Sequence, residues 1–171
     1  MTLGVGGLGA YALAAEPSLR RQRWHWRDLI TGLGSAAALY AIFRIGDRAA
    51  RRIMPAGDRE IGAVYELRAA GRPAAIATTL ALVIGPGEEL FWRGLVQRNL
   101  QRRYGIGGGW LLASSVYGSI HLVSRNLTLT GAAATAGLFW GALFAREQRI
   151  VPLIISHVAW DIWIFLVAPT E

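Results

Sequence analysis

Apolar residues fall along this chain in long runs, and short arginine-bearing clusters separate them. The runs lie at about 1–15, 29–46, 74–92, 107–124, 129–145 and 150–168. A helix needs about 20 apolar residues to cross a bilayer, fewer where flanking arginines snorkel to the headgroups. All the runs except the first approach that length. The pattern predicts an all-α polytopic transmembrane helix bundle with about five or six spans. A different pattern occupies "DREIGAVYELRAAGRP", between the second and third runs. Asp58 is placed to cap a helix there, Ile61, Val64 and Tyr65 share one face, and Gly71 followed by Pro73 supplies a stop. This predicts an amphipathic helix lying in the membrane interface. No Pro/Ser-rich linker, internal repeat or low-complexity tract divides the chain, so one domain is expected. Residues 1–73 would supply N-terminal membrane segments and the interfacial helix, and residues 74–168 the membrane core.

Composition supports the membrane reading. Of 171 residues 53% are hydrophobic, a proportion hard to reconcile with a soluble globule of this size. The net charge of +7 could suggest nucleic acid. However, the basic residues are all arginines, scattered between the apolar runs rather than gathered on one face, so the expected partner is the lipid bilayer and not nucleic acid. The absence of cysteine removes disulfides, a thiol nucleophile and thiolate metal sites. Ala12-Leu13-Ala14 imitates a signal-peptide cleavage site, but no positive residue precedes the apolar run, so a short first span, or the remnant of a longer one, is expected instead. Trp24, Trp26 and Trp110 stand at run edges, where indoles suit the headgroup layer, and Trp140, Trp160 and Trp163 are expected to pack inside. The arginines around Arg98, Arg102 and Arg103 read as a cytoplasmic loop, with Arg125 outside. An integral protein of a bacterial or archaeal cytoplasmic membrane is expected, and its oligomeric state is not legible.

Within the apolar runs, some residues are out of place. In "LVIGPGEELFWRGLVQRNL" two carboxylates and an arginine interrupt a membrane-like stretch. An ionised side chain at mid-membrane depth costs about 2.5–3.5 kcal/mol on insertion scales. At 100° per residue, Glu89 and Arg93 are offset by only about 40° and can pair, while Glu88 lies about 140° from Arg93. Glu88 would then face the bundle interior with its charge less compensated, which suits a general base for water. The simpler alternative is a helix beginning after "GPG", whose first turn favours acids. Histidine bears on the choice. His25 sits between Trp24 and Trp26, where an interfacial role is expected, but Tyr117 with His121 and His157 with Asp161 are pairs four apart inside apolar runs. Each pair could be purely structural. Together, three such pairs suggest polar groups converging on a water-filled cavity.

These motifs resemble those of a known family. "EELFWR" with Glu88, Glu89 and Arg93, "YGSIH" ending at His121, and "HVAWD" from His157 to Asp161 look like the three motifs of the CPBP intramembrane proteases, also called the Abi or type II CAAX-prenyl endopeptidase family. The resemblance runs over roughly residues 74–168. It implies that Glu88 and His121 activate a water, that His157 with Asp161 stabilises the oxyanion, and that Glu89 and Arg93 support the site. It also implies a peptide or membrane-protein substrate and no cofactor. Two positions depart from the family pattern: Tyr117 replaces a common phenylalanine, and Asp161 stands where the best-studied members carry asparagine. An ionised aspartate cannot donate to an oxyanion, so Asp161 is either protonated or orients His157 as the donor. Zinc held by His121, His157 and a carboxylate is the nearest rival. A serine mechanism through Ser119 is weaker, because residues two apart on a helix do not face each other. A non-catalytic scaffold or bacteriocin-immunity protein retaining the polar cavity is the alternative from another class.

Overall fold

In the computed structural model, residues 2–66 and 71–169 are described, and every regular element among them is helical. The helices begin where side chains satisfy the exposed backbone. His25, expected at the interface, caps α2 (Trp26–Ile53): its Nδ1 accepts from the Arg27 amide at 3.3 Å, and Asp28 accepts from the His25 amide at 2.8 Å. Asn126 caps α7 (Leu127–Glu147) by accepting from the Leu129 amide at 2.7 Å. Prolines open α4 (Pro73–Thr79) and α8 (Val151–Ile162), where a missing amide hydrogen costs nothing.

The largest departure from the sequence pattern follows α4. The third run does not end near residue 92. Instead the chain stays helical through a π-helical segment at Leu80–Ile84, α5 (Gly85–Glu89), a second π-helical segment at Leu90–Gln97, and the start of α6 (Arg98–Ile120). Arg98, Arg102 and Arg103 are therefore helical rather than in a loop, which removes the basis for the expected orientation. The break comes at Gly105, whose φ of 76° and ψ of 169° are essentially restricted to glycine. Beyond it the helix folds back: Gly109 approaches Gln101, and the Tyr117 ring meets Trp92 at 5.3 Å. Hydropathy misread this hairpin because Gln97 and Arg98 look like span-breakers. Gln97 is buried and donates to the Gly141 carbonyl at 2.8 Å, while Arg98 reaches Ser18 at 3.2 Å and lies over Phe144.

The stretch Pro73–Ser124, α2 and α7 are each long and apolar enough to cross a membrane, while α1 (Thr2–Ala15) and Val151–Val167 are shorter apolar helices. Small residues let these helices approach closely. Gly32 of α2 lies against Ile155 and the Pro152 carbonyl of α8, and Gly137 and Gly141 of α7 lie against Tyr117 and Trp110 of α6. α5 is held between two neighbours, with Gly87 against α1 and Gly85 against Val158. A Cβ on Gly9 would stand 2.8 Å from the Gly87 Cα, and backbone cannot retreat as a flexible side chain can. Gly9→Val is therefore expected to destabilise by about 1–3 kcal/mol. Gly4→Val, which meets nothing within 4 Å, is the control. Equal thermal midpoints for the two variants in one detergent would show that the α1 contact is not formed.

The amphipathic stretch forms α3 (Gly57–Glu66), whose Ile61 and Tyr65 share a buried face that packs into the protein core. Residues 67–70 of the amphipathic stretch lie outside the described residues. Asp58 stands in the first turn and pairs with Arg51 at 2.7 Å instead of capping. Glu60 fastens α3 to the start of α7, accepting from the Thr128 hydroxyl at 2.7 Å and the Thr128 amide at 2.8 Å. The Thr128 hydroxyl, helped by that amide, holds the Glu60 carboxyl below its usual range. The contribution of this contact is complete above the unfolded value of about 4.3 and is lost as pH falls through the lower folded value. The wild-type advantage in thermal midpoint over Glu60→Gln should be constant near neutrality and shrink in acid; a difference independent of pH would contradict the contact. Trp140 and Trp160 are buried as expected, but Trp163 is 49% exposed, touching Tyr40 edge-on from the outer side of its helix.

Candidate active site

Glu88 and Glu89 leave the helix about 100° apart, and each therefore finds a different partner. Glu88 turns toward α6, where the Tyr117 hydroxyl donates to its Oε2 at 2.8 Å. Glu89 turns toward α8 and is fully buried. Its Oε1 receives two bonds, from Arg93 Nη1 at 2.9 Å and His157 Nδ1 at 2.8 Å. The Arg93 guanidinium also lies 4.8 Å from the Tyr117 ring centre and 5.6 Å from that of Trp140, faces that favour a cation. No helix starts after "GPG", because the course is helical from Pro73 onward, so an N-terminal dipole does not account for the two acids. π-helical turns flank them instead, and these distort the side-chain register at the point where Glu88 and Glu89 diverge.

The two histidines differ in how they are held. His121 stands where α6 tightens into the 3-10 turn His121–Ser124, with Nδ1 2.9 Å from the Tyr117 carbonyl. A carbonyl only accepts, so Nδ1 carries the hydrogen and Nε2 is left as the basic nitrogen. His157 is buried, with Nδ1 donating to Glu89 and Nε2 3.6 Å from Asp161 Oδ2. That separation permits attraction between charges but is too long for a hydrogen bond. Asp161 Oδ2 is buried without a hydrogen-bond partner among the described residues.

Glu88, Tyr117, His121, His157 and Asp161 line one cavity of about 320 Å³. Its remaining wall is mostly apolar, with Phe43, Ile61, Ile84, Ile164 and Phe165. Of the candidate site residues expected from sequence, these five reach the cavity, while Glu89 and Arg93 stand behind it. Ser119 turns away, donating to the Val116 carbonyl at 2.9 Å. The zinc set reaches the same cavity, but among the described residues no group of three His, Cys, Asp or Glu side chains is close enough together to hold a metal ion. Two features escaped the sequence reading. One is the bond from His157 to Glu89, 68 positions away, which no helical spacing reveals. The other is Trp140, whose ring stacks on His157 at 3.9 Å.

Fold and site define an integral membrane helix bundle enclosing a buried cluster of carboxylates and histidines. A family model described as type II CAAX prenyl endopeptidase Rce1-like matches residues 70–163, more than half of the chain, and the chain belongs to that family of intramembrane endopeptidases. It is thus a peptidase of the membrane, acting on peptide or protein substrates. Comparison with curated proteins and with solved structures gives no match.

Proposed function

We propose that this protein hydrolyses a peptide bond within its cavity by means of a water activated by Glu88 and His121. The observation that carries the reading is the convergence of Glu88, His121, His157 and Asp161, from three helical segments, on one largely apolar cavity. Glu88 takes a proton from the water, whose oxygen attacks the substrate carbonyl. His121, with Nε2 free, holds or shares that water. Negative charge then develops on the carbonyl oxygen. With Nδ1–H committed to Glu89, Nε2 of a doubly protonated His157 is the donor for that oxyanion. Asp161 balances its charge. Collapse of the tetrahedral intermediate expels the amine, which leaves with the proton from Glu88. No step requires a metal or cofactor, so turnover should survive exhaustive chelation. The apolar wall suits a substrate carrying an apolar or lipid-modified residue beside the scissile bond, in keeping with the family's prenyl name.

The test compares new protein termini in membranes bearing the wild-type chain with those bearing Glu88→Gln at matched expression. Termini that appear only with the wild type support the proposal and identify the substrate. Identical termini would overturn it.

A further inference from the structure

We infer that Trp140, locked by hydrogen bonds through Ser156 to Ser35 of α2, is a positioning residue that sets the plane of the His157 ring. The inference rests on the role proposed above for His157.

Trp140 lies face to face with the imidazole, with centroids 3.9 Å apart and planes 19° from parallel, and it is almost wholly buried. A stack alone fixes a neighbour's plane only as firmly as its own plane is fixed. Here the indole Nε1–H donates to Ser156 Oγ at 3.0 Å, and Ser156 is fully buried. Ser156 Oγ lies 2.9 Å from Ser35 Oγ, which lies 2.9 Å from the Gly32 carbonyl. Ser35 has one hydroxyl proton and a carbonyl can only accept, so both contacts are satisfied in one way: Ser156 donates to Ser35, and Ser35 donates to Gly32. The chain therefore runs Trp140, Ser156, Ser35, Gly32, with each hydroxyl accepting once and donating once. It ends on backbone, and it leaves no buried donor unused.

The consequence falls on Nε2 of His157. Glu89 holds the Nδ1 edge of the ring, and Trp140 holds its face. One contact alone would leave the ring free to pivot; both together fix where Nε2 points. Ser35 also lies outside residues 70–163, so α2 contributes to the geometry of the site from beyond the matched region.

The test uses the full chain labelled with ¹⁵N-histidine in detergent micelles. Only three histidines contribute signals, and His157→Gln assigns those of His157. Ser156→Ala, which removes the hydrogen bond and keeps the packing, and Trp140→Phe, which removes it together with part of the stacked ring, should shift the His157 ring resonances and leave those of His25 in place. Ser35→Ala should move them the same way by less, and it carries the test if Trp140→Phe fails to fold. On the substrate recovered from the termini comparison, Ser156→Ala should lower kcat about tenfold with KM unchanged, since small misplacements of reacting groups are costly. Unmoved His157 resonances in Ser156→Ala overturn the inference whatever the activity, as does unchanged kcat. Shifted resonances in a protein whose wild type cleaves nothing would leave the positioning established and the hydrolase reading refuted.

Discussion

Glu88→Gln is expected to lower turnover by about 10²- to 10⁴-fold, the usual worth of a positioned general base, while moving the thermal midpoint by no more than a few degrees. The separation of the two effects follows from where Glu88 sits. It is half-buried at the cavity, and its carboxylate accepts a hydrogen bond from the Tyr117 hydroxyl. A glutamine carbonyl oxygen accepts that bond equally well, and no buried cation loses its counter-charge, because Arg93 is paired with Glu89. What disappears is the capacity to take a proton from water. Glu88→Asp sharpens the test. It keeps the carboxylate but draws it back by one methylene, about 1 Å, a displacement that can cost about 10²-fold. Turnover of Glu88→Gln above a tenth of wild type would remove Glu88 as the base, whatever else the cavity does.

How much of this was legible in the sequence depended on whether a signal was local. Charged residues inside apolar runs stood out because lipid makes them costly, and i,i+4 spacing was enough to pair Glu89 with Arg93 and to aim Glu88 elsewhere. The hairpin was not legible over 92–105. Hydropathy averages over a window and cannot know that Gln97 is satisfied by a carbonyl 44 positions away. The alternative of a helix start after Pro86 and its two flanking glycines failed for a similar reason. Proline ends a helix when its ring and missing amide have no relief, and here π-helical segments on either side accommodate it. The grip of Glu89 on His157 was invisible because it joins residues 68 apart. Trp140 was legible as a buried packing residue but not as the surface on which His157 lies.

Glu89 and Arg93 should behave in the opposite way to Glu88, with stability falling before activity can be judged. Breaking a buried ion pair by removing one partner costs about 3–5 kcal/mol, because the survivor remains as an uncompensated charge. The two single variants should not be equal. Arg93→Gln leaves Glu89 still bonded to His157 at Nδ1. Glu89→Gln leaves Arg93 with a long 3.5 Å contact to the Ala136 carbonyl and two aromatic faces, and it weakens the hold on His157 as well. Glu89→Gln is thus the more damaging single change in thermal unfolding. The double variant Glu89→Gln/Arg93→Met removes both charges and should recover part of the lost stability, since neighbours in one network are not additive. It should not recover activity, because no carboxylate then holds Nδ1 of His157. A double variant as unstable as the sum of the singles would mean that the two side chains act independently, and the short contact between them would then carry little of the fold's stability.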